Sequence, residues 1–277
     1  MLFVSHKSRT KQQTAKMSIA ITILGSGSKG NAILLHDKDW GLLVDAGFSR
    51  KETWARLNVC GIQPGIIKAL LITHEHEDHV KGCRLIAQDL DIPVYGTPDT
   101  IRHLSTKNAI GPKKFLFDPG TRFQLGPFQV EPFTVPHDAL QPVGFIISDG
   151  HVKIGIATDL GQLNRLCRER LSGCDALILE SNHDLQMLRD AERPLHLKRR
   201  ILGSHGHLNN DDALHALEEL LKENTKFLFL AHLSTDCNCP DLVHKLALGK
   251  LTNMGRTDIL LKVAGQSCPL PTVRVGH

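Results

Sequence analysis

The sequence contains no apolar stretch that approaches the roughly 20 residues needed to cross a lipid bilayer. We therefore expect no membrane association. Residues 1–16 are basic and lack the sustained apolar segment of a secretory signal peptide. This pattern favours a disordered leader, or an upstream start codon with Met17 as the natural first residue. No linker-like segment divides the remainder, so we predict one domain over residues 17–277.

A pattern of paired cysteines is also missing. The seven cysteines are odd in number and scattered, and no secretory signal precedes them, so the sequence does not indicate a disulfide framework. We infer a reducing location, the cytoplasm. Cys237 and Cys239 lie close together, but no second pair completes a tetrahedral thiolate site. We favour cysteines without a metal-binding role there, with a structural zinc as the alternative.

The composition permits a large folded domain. With 277 residues, of which 41% are apolar, the chain has ample material for a hydrophobic core. The formal net charge is +4, from 33 basic and 29 acidic residues. This mild excess of positive charge is compatible with a polyanionic substrate but does not establish one.

The most specific chemical signal is the heptapeptide THEHEDH, which ends at His79. It follows the apolar, β-branched segment 66–72, which has the pattern of a buried strand. In an extended segment His74 and His76 point to the same side, so both can reach one ion. Asp78 and His79 lie past the bend and can turn towards a second ion. Imidazole and carboxylate ligands suit zinc and similar divalent metals, and a metal site is favoured over a solvated polar loop.

This motif resembles the signature of the metallo-β-lactamase superfamily. The resemblance implies a binuclear metal site with two further histidines and a bridging carboxylate, each at the end of a strand. The sequence has such residues, in the superfamily's order, at His137, Asp159 and His232. The resemblance thus covers nearly the whole chain from about residue 17. It implies an α/β (α+β) fold, the four-layer αββα sandwich of that superfamily.

The resemblance also implies a role for each ligand. The ligands implied for the first ion are His74, His76 and His137. Those implied for the second ion are Asp78, His79 and His232, with Asp159 between the two ions. Asp45 follows the strand-like segment 41–44 and is implied to order the metal loop without binding metal itself. Two divalent ions are expected, with zinc favoured and manganese or iron as alternatives.

The remaining pattern mixes strands and helices in both halves of the chain. Asp149 and Gly150 predict a hairpin turn between strands at 143–148 and 152–157. Helices are predicted at 162–171 and 213–222. The segment Asn209-Asn210-Asp211 is expected to cap the second of these helices.

The glycine-rich segment 25–31 has two interpretations. Its backbone N–H groups and the charge of Lys29 could bind a phosphate. It is not a nucleotide-binding P-loop, because a strand rather than a helix follows. Alternatively it is a turn that requires the conformational freedom of glycine. The residues alone favour neither interpretation.

Several loops resemble those of the YycJ (WalJ) family, which is associated with 5′–3′ exonuclease activity on DNA. The segments concerned are 25–31, 179–184, 203–210 and 231–234. A more distant resemblance, to tRNase Z and related phosphodiesterases, implies that His207 acts as an acid or phosphate contact, with Glu180 as its partner. Residues 203–210 are expected to open a helix, whose N-terminus would favour a bound phosphate. Ordinary capping and polar packing is the alternative.

Further side chains in or beside these loops are candidate substrate or phosphate contacts. They are Ser26, Ser28, Asn31, His183 and Asn209. The catalytic group is expected to comprise Asp78, His207 and Glu180.

The function predicted from these residues is a di-metal-dependent hydrolase, a phosphodiesterase or nuclease that uses a metal-bridging hydroxide. The substrate is expected to be a nucleic acid or another phosphodiester. One alternative is a hydrolase of a small ester, such as a cyclic phosphodiester, a lactone or a thioester. The other is a metal-binding regulatory protein without turnover. The sequence leaves the oligomeric state open.

Overall fold

The structure, a computed structural model, describes residues 18–276, so the predicted leader at 1–16 lies outside the described residues. The strands are β1 Ile19–Gly25, β2 Ala32–His36, β3 Gly41–Val44, β4 Ile67–Leu71, β5 Val94–Gly96, β6 Lys114–Leu116, β7 Phe123–Leu125, β8 Phe128–Thr134, β9 Val143–Ser148, β10 Lys153–Ala157, β11 Ala176–Glu180, β12 Phe227–Ala231, β13 Leu260–Val263 and β14 Val273–Val275. The α-helices are α1 Arg50–Val59, α2 Glu77–Val80, α3 Cys83–Leu90, α4 Pro98–Thr106, α5 Arg165–Leu171, α6 Leu185–Asp190, α7 Leu195–Leu202, α8 Asn210–Leu220 and α9 Pro240–Asn253.

The strands form two seven-stranded mixed sheets. The first has the order β14-β1-β2-β3-β4-β5-β6, and the second has the order β13-β12-β11-β10-β9-β8-β7. Neighbouring strands are parallel from β3 to β6 and from β10 to β13, and antiparallel elsewhere.

Three hydrophobic clusters show how the layers stack. One lies between the two sheets and includes Val44, Phe145 and Phe229. A second packs the α1, α3 and α4 side chains, such as Leu57, against the outer face of the first sheet. The third packs α5, α8 and α9, through residues such as Leu217, against the outer face of the second sheet. The four-layer αββα sandwich that the sequence predicted is therefore confirmed.

This packing explains the composition of the central strands. Both faces of each sheet are covered, so β2, β3 and β11 are buried at every position and have continuous apolar sequences rather than alternating ones. Polar side chains therefore concentrate where these strands end. The carboxyl ends of β3 and β4 lie at one end of the first sheet, and those of β8, β10, β11 and β12 lie together in the second.

Some predicted boundaries are corrected by the structure. Helix α5 begins at Arg165 rather than at 162, because the Asn164 side chain accepts the N–H of Cys167 and caps it. Helix α8 spans Asn210–Leu220 rather than 213–222, with Asn209 as its confirmed N-cap. His207 therefore lies ahead of the cap and not in the first turn of a helix.

Other elements were not predicted. They are the short helices α6 and α7 and the strand β14, which pairs antiparallel with β1. The hairpin at Asp149 is confirmed, although its loop includes residues 149–152 because β10 begins at Lys153. In the described part of the chain, no helix combines the length and apolar content that a bilayer span requires.

Candidate metal centre

The first predicted ligand group converges in the structure. His74 follows β4 and His137 follows β8, while His76 lies between β4 and the short helix α2. One ligand atom from each of these histidines lies within 4.8 Å of the others. His137 Nε2 is 3.4 Å from His76 Nδ1. Two ring nitrogens at this separation can bind the same ion.

The second predicted group lies beside the first. Asp78 Oδ2 is 3.6 Å from His79 Nε2 and 3.5 Å from His232 Nε2. Asp159 follows β10 and lies between the groups, with Oδ2 3.2 Å from His79 Nε2 and Oδ1 3.8 Å from His137 Nε2. The structure thus brings together all seven side chains that the sequence nominated, with Asp159 in a bridging position.

Two observations show that divalent metal ions fit these groups. Ligand atoms that surround a zinc ion tetrahedrally at about 2.0–2.1 Å lie about 3.3 Å apart, close to the separations seen here. Three buried ligand atoms also have no hydrogen-bond partner among the described residues: His74 Nε2, Asp159 Oδ2 and His232 Nε2. A buried polar atom without a partner is costly, and metal ions held by the two groups would satisfy all three.

The other ring nitrogens of the histidines are held by fixed partners. His79 Nδ1 is 2.8 Å from Asp45 Oδ2, and His137 Nδ1 is 3.1 Å from the carbonyl oxygen of Gly206. His74 Nδ1 is 3.0 Å from the hydroxyl oxygen of Thr73. When these Nδ1 atoms carry the hydrogen, the Nε2 lone pairs face the metal groups.

Asp45 has its carboxylate at the start of the predicted metal loop. Its carboxylate accepts the backbone N–H of Thr73 at 2.9 Å and the Thr73 hydroxyl at 2.8 Å. It thereby connects the start of the metal loop to the ring of His79. Its backbone has a φ of 61°, in the left-handed region that non-glycine residues seldom adopt. Asp45 therefore holds Thr73 and the ring of His79 in place, and it does not belong to the candidate ligand groups.

His232 is also held in an uncommon backbone conformation, with a φ of 56°. The Ser26 hydroxyl accepts the His232 N–H at 2.9 Å and donates to Asn31 Oδ1 at 2.8 Å. Asn182 Nδ2 donates to the His232 carbonyl at 2.8 Å. The Asn31 amide lies 3.3 Å from Asp78 Oδ2. Ser26 and Asn31, nominated as phosphate contacts, thus have their polar atoms engaged in ordering the metal ligands.

The carboxylates control the charge of this centre. Burial lowers the pKa of His74 well below its ordinary value. Burial also acts to lower the pKa of His232, but the carboxylates of Asp159, Asp78 and Glu180 outweigh it and raise that pKa to about 10. Burial acts to raise the pKa of Asp159, but His232 and His79 hold it well below its usual value. The carboxylates therefore favour positive charge at this centre, which is the charge that divalent ions would supply.

Glu180, the last residue of β11, links the metal centre to His207. Its Oε1 is 2.8 Å from His207 Nδ1 and 2.7 Å from His232 Nδ1. Its Oε2 accepts the backbone N–H groups of Leu160 and Leu208. With both oxygens engaged, Glu180 orients the two rings. Burial acts to lower the pKa of His207, but the charge of Glu180 raises it above the ordinary value.

The remaining nominated contacts have different positions. Ser28 is exposed and lines a cavity that also includes His207. His183 is buried, and burial lowers its pKa to about 4. Asn209 accepts the N–H of Asp212 and donates to its carboxylate, so its side chain is engaged in capping α8. The structure therefore brings Ser28 beside His207, whereas the polar atoms of Asn209 are engaged by the helix.

Sequence reasoning missed several residues around the centre. Besides Thr73 and Asn182, they include Asp138, which directly follows a nominated histidine, and two arginines of the α6–α7 region, Arg193 and Arg200. Asp138 Oδ1 lies 3.4 Å from His137 Nε2, and its Oδ2 forms an ion pair with Arg200. The only signal for Asp138 is its adjacency to His137.

The sandwich and the paired ligand groups at its strand ends define a protein of the metallo-β-lactamase fold. Comparison with known families agrees, because the model for the "Beta-lactamase superfamily domain" matches residues 41–232. The chain is 37% identical to Exodeoxyribonuclease YycJ of Bacillus anthracis, over 82% of this chain and 86% of that protein. It is 31% identical to Exodeoxyribonuclease WalJ of Streptococcus pneumoniae, over 86% of this chain and 90% of that protein.

The chain therefore belongs to the β-lactamase superfamily and, within it, to the family of the YycJ and WalJ proteins. Its fold is also similar to that of the metallo-β-lactamase fold protein YhfI of Bacillus subtilis. That structure has a TM-score of 0.69 and 19% sequence identity, over 92% of this chain and 99% of YhfI. Family membership and the clustered ligands make the chain a metal-dependent hydrolase.

Proposed function

We propose that the chain hydrolyses phosphodiester bonds of nucleic acids, and that it acts on DNA as a 5′–3′ exonuclease. The observation that carries this proposal is the Glu180–His207 pair beside the seven ligand side chains. The names of the relatives YycJ and WalJ, both exodeoxyribonucleases, agree with it.

The position of His207 suits an acid that protonates a leaving oxygen. Glu180 holds its Nδ1, which directs Nε2 away from that carboxylate. His207 Nδ1 is also 3.8 Å from Asp159 Oδ1, so the ring lies at the edge of the metal groups. A sugar alkoxide is a poor leaving group and benefits from a proton, whereas a thiolate leaves without one. The pair thus favours a phosphodiester over a thioester.

The seven ligand side chains supply the rest of the site. Divalent ions held there would supply Lewis-acid chemistry, which would lower the pKa of a bound water molecule and offset the charge of the substrate phosphate. We propose zinc as the native metal, because histidines supply most of the ligands and the separations fit zinc. Asp45 and Glu180 keep the ligand rings in one orientation, which preserves the geometry through turnover.

We also propose the cytoplasm as the location of the protein. The seven cysteines all lie within residues 18–276, and the structure forms no disulfide between them there. Free thiols in this number are typical of proteins from reducing compartments.

The proposal is tested by a substrate panel. End-labelled single- and double-stranded DNA, RNA, a bis-aryl phosphate, a lactone and a thioester are incubated with zinc, with manganese and with no added metal. We expect metal-dependent hydrolysis of DNA, with mononucleotides released from the 5′ end, and of the bis-aryl phosphate. Hydrolysis of the lactone or the thioester alone would assign a small-ester hydrolase.

Variants of two nominated metal ligands are compared with a control variant of an exposed aspartate. We expect Asp159→Asn and Asp78→Ala to abolish hydrolysis, because each removes a carboxylate from the metal groups. Asp241→Asn, on an exposed position of α9, should retain the wild-type rate. Wild-type rates in both ligand variants would refute the assignment. A wild-type protein that binds nucleic acid without any turnover would indicate a regulatory protein instead.

A further inference from the structure

Helix α7 and the segment just before it, which the sequence did not predict, form one wall of a cavity beside the metal centre. The cavity has a volume of about 180 Å³. Its lining includes Arg193 and Arg200 from the α6–α7 region, Ser28 from the glycine-rich loop, and Asn182 and Ser234 from the ends of β11 and β12. His207 also lines it, so the cavity is continuous with the proposed catalytic group.

The charge of the cavity favours an anion. Each arginine is fixed by one carboxylate: Arg193 forms a 2.6 Å ion pair with Asp236, and Arg200 pairs with Asp138. A guanidinium has five N–H donors, so both arginines keep donors for a further ligand. Of the paired carboxylates, only Asp138 belongs to the lining. The lining therefore has two guanidinium groups against one carboxylate, with hydroxyl and amide groups beside them.

The size of the cavity limits the anion to a small group. Pockets that enclose drug-sized molecules begin at about 300 Å³, well above the volume here. A phosphate group fits within this space. A phosphate within a strand carries a sugar on each side and one charge. A terminal phosphomonoester has one free side and a charge of about −1.5 to −2, which suits two guanidinium groups better.

We propose that this cavity binds the terminal phosphate of a nucleic-acid strand through Arg193 and Arg200. The inference rests on the proposed function and adds the feature that selects a strand end. A terminal phosphate bound beside His207 places the neighbouring phosphodiester towards the metal centre. Hydrolysis then begins at the end of the strand, which accounts for exonuclease rather than endonuclease action.

The test measures binding, so that it does not depend on turnover. Single-stranded oligonucleotides with a 5′-phosphate, a 3′-phosphate or hydroxyl groups at both ends carry an internal fluorophore. Their affinities for the full chain are measured by fluorescence anisotropy in the presence of a chelator. We expect the 5′-phosphorylated form to bind about tenfold more tightly than the hydroxyl form, since hydrogen bonds between charged partners are lost without the phosphate.

Arginine variants test whether Arg193 and Arg200 cause the preference for a phosphorylated strand end. Arg193→Gln and Arg200→Gln should each bring the affinity for the phosphorylated strand closer to the affinity for the hydroxyl strand. The matched control is Arg102→Gln on α4, because Arg102 is an exposed arginine in an ion pair with Asp99 and does not line the cavity. Thermal unfolding monitored by circular dichroism verifies that each variant folds. A preference for the 3′-phosphate over the 5′-phosphate would overturn the placement of the 5′ end in this cavity.

The outcomes separate this inference from the proposed function. Equal affinity of the wild-type chain for phosphorylated and hydroxyl strands would overturn the terminal-phosphate site, even if DNA is hydrolysed. A preference that persists in both arginine variants would overturn it as well. A preference that is lost in those variants supports the site, even if the substrate panel shows no hydrolysis and the proposed function fails.

Discussion

At the scale of single residues, Glu180 has the most consequential position. One carboxylate oxygen contacts both His232, a nominated metal ligand, and His207, the proposed acid. Glu180 thereby fixes the separation between His232 in the metal groups and His207. Because Glu180 is fully buried, these contacts do not compete with bulk water.

The role of His207 predicts a dependence on the leaving group. In His207→Ala, hydrolysis of DNA should slow by about 10²- to 10⁴-fold, the usual contribution of a general acid. Hydrolysis of a bis-aryl phosphate should slow much less, because an activated aryl oxide leaves without a proton. The kcat values for the two substrates are compared in the wild-type chain and in the variant.

The neighbouring His205 provides the control for this comparison, because it is exposed. His205→Ala should keep both rates. Equal slowing of DNA and aryl phosphate hydrolysis by His207→Ala would show that His207 supports the metal centre rather than protonating the leaving oxygen.

Residue identity alone could not distinguish a substrate contact from a supporting residue. Ser26 was nominated because serine in a glycine-rich loop can bind phosphate. In the structure its hydroxyl accepts the N–H of His232, which is 206 positions further along the chain. Such a contact arises from the stacking of the two sheets, and no local pattern in the sequence encodes it.

At the scale of elements, the cap of α8 yields a separate prediction. Asn209→Ala should lower the free energy of unfolding by about 1 kcal/mol, since the variant loses the bond to the N–H of Asp212. Urea denaturation measures this change. KM for DNA should stay at the wild-type value, because the Asn209 side chain is engaged by the helix.

Asn164→Ala offers a matched control, because Asn164 caps α5 in the same manner. The Asn164→Ala variant should lower the free energy of unfolding by a similar amount, and its KM for DNA should also be unchanged. A rise in KM for Asn209→Ala alone, with unchanged stability, would restore Asn209 as a substrate contact.

The elements that could be predicted are those with strong local patterns. The apolar strands β4 and β12 end shortly before nominated ligands, so the sequence predicted both the strands and the candidate metal residues that follow them. Helices α6 and α7 are short, and α7 exposes Leu195 and Leu202 to solvent. They depend on tertiary contacts, as in the small cluster of Leu188, Ile201 and Cys237. Short helices of this kind have little stability of their own.

At the scale of the whole molecule, the sandwich explains why distant ligands converge. Strands β8, β10, β11 and β12 run in one direction, so their carboxyl ends meet at one edge. His137, Asp159 and His232 follow three of these strands. The convergence of these nominated side chains was therefore predictable from residue type and position after each strand, together with the family resemblance. The cavity was not, since its lining comes from five separated segments of the chain.

Metal content tests the central claim, which is that these seven side chains bind two divalent ions. The wild-type chain, Asp159→Asn and the control Asp241→Asn are loaded with zinc, freed of excess metal and analysed by inductively coupled plasma mass spectrometry. We expect two ions per wild-type and control chain and fewer than two in Asp159→Asn, because Asp159 lies between both ligand groups. Chelation should also lower the Tm of the wild-type chain, since ions that bind only the folded state stabilise it. A wild-type chain that saturates with one ion or none would contradict the binuclear centre.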